Sequence, residues 1–310
     1  MQNKIIESIQ RFDTITIFRH QMADMDAIGS SMGLKFWLED QFPSKKIYCL
    51  GANNHICERF GFTMDEVEED VIKDSLAIVL DTSNAQRVDD QRYELASESI
   101  RIDHHVIVES FCDIEWIDEK ASATCELLSL LFKYNNIRLN KKAAQLLYNG
   151  LIADSVHFSI STVRKETFEA AMYLIEQGVD VVEAEQDNYA ISMNDFMYET
   201  KIRENTKHEK NCLYAIMDKQ DYETLDMTFA LAKEKVYVMS GIHSIEVWAL
   251  FTQMDDGIHY SASLRSKKIS IREIAQEFGG GGHLCASGIK YLTLEQVHQI
   301  IDKLVQISIK

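Results

Sequence analysis

The stretch Leu76-Ala77-Ile78-Val79-Leu80-Asp81 decides how this chain is read. Five apolar residues without alternation fit a strand covered on both faces, as in a parallel sheet flanked by helices. The aspartate that ends the run then stands at the carboxyl edge of that sheet, where open α/β folds gather their ligands. Two other stretches repeat the pattern. Thr14 to Phe18 (TITIF) leads into Arg19-His20 and Asp24-Met25-Asp26, and Ser99 to Ile102 (SIRI) leads into Asp103-His104-His105. Lys46 to Leu50 (KIYCL) is a further strand, and apolar spacing predicts a helix from about Ala27 to Glu39. Strands alternating with helices predict a doubly wound, mainly parallel α/β domain.

Helical patterns dominate from about Ala121 to Gly178, including Lys141 to Leu151. Glu183 to Lys210 is rich in charge and poor in β-branched residues, which predicts a linking helix, with the domain break near Asp187. Beyond it CLYAIM (212–217), VYVMSGI (236–242), IEVWALFTQM (245–254) and IHYSASLRS (258–266) predict strands of a second, smaller α/β domain. Helices at Ile269 to Phe278 and from Leu294 complete it. The expected layout is residues 1–187, a linker over 188–208, and residues 209–310. Only Pro43 is a proline, so proline-rich linkers mark no boundary.

With 310 residues and 46% hydrophobic content the chain can bury a sizeable core. Its 49 acidic residues outnumber 32 Lys and Arg, giving a net charge of −17. Such a balance disfavours a broad basic face that coats nucleic acid. A small anionic substrate stays open if something local reverses the field. Six scattered cysteines, without a C-x-x-C pair, indicate neither a disulfide framework nor a thiolate zinc site. No signal-peptide core and no apolar run of about 18 residues is present, so a cytoplasmic protein without a membrane partner is expected.

His20, Asp24, Asp26, Asp81, Asp103, His104 and His105 should converge on one rim of the sheet. So many carboxylates cannot share a small site unless cations neutralise them. Imidazole with carboxylate suits Mn²⁺ or a similar divalent ion, and the ligand number points to two ions. Each element has a plainer explanation alone. An aspartate at a strand end often only caps the next helix, which is the alternative for Asp81. Lone histidines are usually structural, and His55, His157, His208, His243, His259 and His298 are read so.

These motifs resemble the DHH phosphoesterase superfamily. The run H-x-x-x-D-x-D-A-x-G-S (His20 to Ser30), the Asp81 strand end, Asp103-His104-His105 and Gly150-Leu-Ile-Ala-Asp154 stand in its order and spacing. Ser263-Leu-Arg265-Ser266, Gly279 to His283 and Ala286-Ser287-Gly288 resemble its DHHA1 substrate-binding domain. Within the superfamily the chain resembles the NrnA type, oligoribonucleases that also dephosphorylate pAp.

The resemblance implies one ion held by His20, Asp24 and Asp81, and a second by Asp26, His104 and Asp154, with Asp81 bridging. Asp103 would orient a histidine, and His105 would face the phosphate as charge stabiliser or proton donor. The implied ions are two Mn²⁺, with Mg²⁺ or Co²⁺ as alternatives. The implied substrates are short single-stranded RNA and pAp, and a homodimer is compatible. Two departures stand out: Ala23 and Met25 replace the Pro and Gly of Pro-Asp-Gly-Asp, and Ser155-Val156-His157 follows Asp154 where Thr-Gly is usual.

In the second domain four glycines allow close approach of a phosphate or sugar, although no Walker loop is present. Arg265, whose planar fork grips phosphate, would form a clamp with Gly280, Gly281, Gly282 and His283, with Ser266 as a weaker contact. Two rival functions are a stand-alone cyclic or linear di-nucleotide phosphodiesterase and a non-catalytic nucleotide- or RNA-binding protein.

Overall fold

A computed structural model describes residues 2–309 of the chain. They divide into two compact units, one ending at Ala190 and the other beginning at Ile191.

The first unit contains β1 (Thr14–Phe18), β2 (Lys46–Cys49), β3 (Leu76–Leu80), β4 (Glu98–Asp103) and β5 (Ile114–Ile117). They form one sheet in the order β2-β1-β3-β4-β5, parallel throughout. Every residue of LAIVL is buried, as the continuous apolar run requires. The order reverses between β1 and β3, which opens a crevice at their carboxyl ends. Register sets the height of that crevice. Phe18 pairs with Val79 and Leu80 with Ile102, so His20, Asp81 and Asp103 leave the sheet nearly level.

Helices α1 (Gln2–Arg11), α2 (Met25–Gln41), α3 (His55–Phe60), α4 (Glu69–Lys73), α5 (Thr124–Tyr134), α6 (Lys141–Asp154), α7 (Lys165–Glu176) and α8 (Val181–Tyr189) complete this unit. Along α2, Ala27 to Leu34 are all buried, because α2 lies between the sheet and α6. Two glycines permit that contact: a Cβ on Gly29 would lie 2.5 Å from the Leu146 carbonyl oxygen, and one on Gly33 would lie 2.8 Å from Leu147 Cγ. The opening segment, unassigned in the sequence pattern, is amphipathic α1, whose Ile5 and Ile9 are buried at the i, i+4 spacing.

The second unit holds α9 (Met193–Asn205), β6 (Lys207–Glu209), β7 (Cys212–Met217), α10 (Lys219–Glu223), α11 (Phe229–Glu234), β8 (Val247–Gln253), β9 (Tyr260–Ser266), α12 (Arg272–Glu277), β10 (Gly281–His283), β11 (Ala286–Leu292) and α13 (Leu294–Ile307). Its six-stranded sheet runs β10-β11-β9-β8-β7-β6, and only β7 and β8 pair in parallel. One core joins Tyr260, Ala262 and Leu264 of β9 to Ile274 of α12 and to Val297, Ile300 and Leu304 of α13. A second core on the opposite face joins Leu213 and Leu250 to Tyr198 and Ile202 of α9.

Two expectations change here. Val236-Tyr237-Val238-Met239 lies in a 3₁₀ turn, Lys235–Met239, and is no strand. Val236 and Met239 are buried three residues apart while Tyr237 is exposed, a three-residue period rather than alternation. The charged stretch 183–210 holds two helices. Ser192 starts α9 by a capping box with Asp195, and Tyr198 and Ile202 anchor α9 in the second unit's core.

Candidate metal centre

The loop after β1 places two candidate ligands by local bonds. His20 Nδ1 lies 2.8 Å from the Gln21 carbonyl oxygen, so Nδ1 donates there and Nε2 turns inward. Asp24 is the N-cap of α2, its Oδ1 accepting from Asp26 N at 3.0 Å and Ala27 N at 3.1 Å. Its other oxygen, Oδ2, is 3.7 Å from His20 Nε2. One carboxylate thus caps a helix and faces the crevice.

Asp26 begins the same helix but is fully buried. Its Oδ2 accepts from Thr124 N at 2.6 Å and its Oδ1 from Cys125 N at 2.9 Å, the first two N–H groups of α5. Ala123, the N-cap of α5, supplies no side-chain bond, and Asp26 takes its place. The positive end of α5 favours the ionised carboxylate.

Asp154 ends α6 and enters the centre because α6 can approach α2. A Cβ on Gly150, one turn earlier, would lie 3.0 Å from the Met25 carbonyl oxygen and 3.1 Å from Asp26 Cα. Only glycine fits that crossing.

Asp81 lies at the middle. Its backbone is left-handed, φ +54°, a conformation that costs a non-glycine residue energy and recurs at functional sites. It caps no helix. Oδ2 lies 3.3 Å from His20 Nε2 and Oδ1 3.4 Å from His104 Nε2, and Thr124 Oγ1 donates to Oδ1 at 3.2 Å.

His104 directs Nδ1 toward the Ala121 carbonyl oxygen at 3.3 Å. Its Nε2 lies 3.2 Å from Asp154, 3.4 Å from Asp81 and 3.9 Å from Asp26. Asp103 stands outside the cluster. Its Oδ1 accepts from His105 N and Nδ1 at 3.2 and 2.8 Å, and its Oδ2 from Arg101 Nη2 at 2.6 Å. Arg101 is fully buried and donates also to the Glu109 and Ser83 carbonyls. This network holds His105 with Nδ1 engaged and Nε2 available.

In the protein alone these close-set charges act on one another. Burial opposes protonation of His20, but Asp24 and Asp81 outweigh it and push the imidazole up to about 10. Burial is likewise outweighed at His104, which Asp154, Asp81 and Asp26 push up to about 12. Burial raises Asp26 and Asp154, with the Asp81 charge adding to both. Burial acts upward on Asp81 too, yet His104 and His20 hold it far below the usual carboxylate range.

The donor set fits divalent cations. His104 Nε2 is buried without a hydrogen-bond partner although carboxylate oxygens surround it. A cation held there in place of the imidazole proton would satisfy all of them. Ligand atoms from His20, Asp24 and Asp81 come together in one group and from Asp26, His104 and Asp154 in another, each within 4.8 Å.

In the second unit a cavity of about 820 Å³ opens beside β9, β10 and β11, with Arg265, Gly280 and Gly281 in its wall. Gly280 and Gly282 pack against β11: a Cβ on Gly282 (φ +139°) would lie 2.5 Å from the Ala286 carbonyl oxygen, and one on Gly280 would strike that of Gly288.

The DHH family N-terminal domain matches residues 14–151 and the DHHA1 domain matches residues 209–309. A probable bifunctional oligoribonuclease and PAP phosphatase NrnA from Streptococcus mutans is 33% identical, over 97% of this chain and 96% of that protein. The chain belongs to the DHH phosphoesterase family. The Bacillus subtilis bifunctional oligoribonuclease and PAP phosphatase NrnA is 31% identical, over 98% of this chain and 97% of its own. The fold matches the crystal structure of an exopolyphosphatase-related protein from Bacteroides fragilis, with TM-score 0.83, 23% identity and coverage of 98% and 95%.

The six expected ligands of the DHH unit lie in one cluster, with Asp103 and His105 at its edge. In the DHHA1 unit Arg265, Gly280 and Gly281 share the cavity. Ser266 does not reach it, since its buried hydroxyl donates to the Ile269 carbonyl at 2.5 Å. Gly282 and His283 lie in the edge strand β10 outside the cavity wall. Sequence reasoning passed over Thr124, the α5 N-terminus, Ala121 and Arg101. Of these Arg101 carried a signal, as a charged residue two positions before Asp103 and hence on the same strand face. His157 stacks on Tyr189 at 3.8 Å and lies 3.3 Å from Glu185. No helix among the described residues is long and apolar enough to cross a membrane.

Proposed function

We propose that this chain hydrolyses short oligoribonucleotides to nucleoside monophosphates and removes the 3′-phosphate of pAp. The placement of Asp81 carries the proposal: its two oxygens address two histidines of two ligand groups, as a carboxylate bridging a pair of cations would. His20, Asp24 and Asp81 would hold one ion and Asp26, His104 and Asp154 the other, with Mn²⁺ the ion proposed. Such ions supply Lewis-acid activation of water and neutralise charge developing on the phosphoryl group.

The chain's own residues do the rest. Asp103 fixes His105 so that Nε2 points away from the Nδ1 bond, and His105 Nε2 would pass a proton to the leaving ester oxygen. Arg265 in the DHHA1 unit would grip a terminal phosphate. Further support comes from the two relatives named oligoribonuclease and PAP phosphatase, which align with this chain nearly end to end.

A substrate panel tests the proposal. Purified protein with Mn²⁺ should cleave a 5-mer RNA and pAp in preference to a 24-mer RNA, a cyclic di-nucleotide or pyrophosphate. Preferential cleavage of the cyclic di-nucleotide or of pyrophosphate would overturn it.

A further inference from the structure

The DHHA1 cavity is too large for a phosphate alone. Its volume of about 820 Å³ lies within the range of about 300–1,000 Å³ that holds whole small molecules. Three cations, Lys233, Arg265 and Lys290, line it with a single carboxylate, Glu234, in a chain of net charge −17. Tyr291 also stands in the wall.

Tyr291 is there because β11 is bulged. Ile289 pairs with Ala262 and Leu292 with Tyr260, so β11 advances three residues while β9 advances two. Ile289 and Leu292 are both buried in the core. The extra residue therefore leaves Lys290 and Tyr291 together on the cavity side, where regular alternation would place only one. Tyr291 accommodates the bulge with a left-handed backbone, φ +59°, a genuine outlier for a bulky residue. Tyr291 is 66% exposed, so burial does not offset the strain. His259 supports the ring edge-on at 6.1 Å, and Asp256 Oδ2 holds His259 Nδ1 at 2.7 Å.

We infer that Tyr291 is a stacking platform for a nucleobase, so that the cavity takes an entire nucleoside monophosphate unit, with its phosphate beside Arg265 and its base on the tyrosine ring. The inference rests on the assignment of the DHHA1 unit to substrate binding. It adds base recognition to an end-phosphate clamp, and it makes Asp256 and His259 positioning residues for the ring.

Calorimetric titration of the whole chain with AMP and with ribose 5-phosphate tests this. AMP should bind about tenfold tighter, as expected for one base stacked on one aromatic ring. Tyr291→Phe should keep the ratio. Tyr291→Asn, which tolerates the left-handed backbone and so preserves the bulge, should bring the ratio to about one with ribose 5-phosphate affinity unchanged. A ratio near one in the unaltered protein, or an unchanged ratio in Y291N, overturns the platform. Failure of the two ideas is separable: loss of RNA cleavage in the substrate panel with the expected ratio removes only the phosphoesterase proposal, and cleavage with a flat ratio removes only the platform.

Discussion

Gly150 and Asp26 touch across two helices: a Cβ on Gly150 would stand 3.1 Å from Asp26 Cα. That contact brings the carboxyl end of α6, and with it Asp154, against the start of α2. The proposed ligands Asp26 and Asp154 come from distant parts of the chain, and this helix crossing determines their separation.

Gly150→Ala should therefore push α6 from α2. The added methyl would lie 2.4 Å from Cys125 Sγ and 3.0 and 3.1 Å from backbone atoms of Met25 and Asp26, and that backbone cannot rotate away, so overpacking should cost about 1–3 kcal/mol. Thermal unfolding reads that loss. Activity at a temperature where the variant is folded should fall further, because Asp26 and Asp154 would no longer meet at His104.

Asp81→Asn and Asp103→Asn should separate the proposed shared ligand from the residue that orients His105. D81N removes the carboxylate between His20 and His104, and should bind fewer than two ions per chain. Groups that only orient a ligand or catalytic residue are worth about 10–100-fold, so D81N should lose at least ~100-fold in kcat and D103N a lesser amount. Metal content by mass spectrometry should stay at the unaltered value in D103N; a reduced content there would contradict its place outside the cluster.

Cation uptake should release protons. Without ions His20 titrates at about 10 and His104 at about 12, so both are protonated at pH 7.5 and must lose a proton to coordinate. Affinity should rise with pH and fall as pH drops, and calorimetry in buffers of different ionisation heat should report the released protons. The same values set the stability of the ion-free protein. A histidine raised from 6.5 in the folded state contributes stability that is fully present below pH 6.5 and is lost as pH rises through 10. The ion-free unfolding temperature should fall from pH 7 to pH 10, and bound ions should weaken that slope.

Val156→Gly should stabilise the DHH unit. Val156, His157 and Phe158 have φ of +46°, +54° and +60°, and a β-branched residue is poorly suited to that region. Val156 is 50% exposed, so little packing is lost. Relief of part of about 1–3 kcal/mol of strain, less the added freedom of glycine in the unfolded chain, should raise the unfolding midpoint by a few degrees. An unchanged or lower midpoint would show that this turn is not strained.

The sequence alone determined the parallel sheet and the residues at its edge. A continuous apolar run such as LAIVL has few alternatives to a buried strand, and the polar residues after β1, β3 and β4 follow from chain direction. It also supplied the ligand types, because a crowd of aspartates and histidines has little use without cations. Tertiary structure decided what each one does. Asp24 and Asp26 are two residues apart, yet the first caps its own helix and the second caps α5, a choice made by a segment about a hundred residues away. The 3₁₀ turn at Lys235–Met239 and the bulge before Leu292 arise in the same way. Local spacing allows several backbone paths there, and burial of Val236, Met239, Ile289 and Leu292 against neighbouring elements selects one. Periodicity reports which face of an element is apolar; which element will cover that face depends on packing between distant segments.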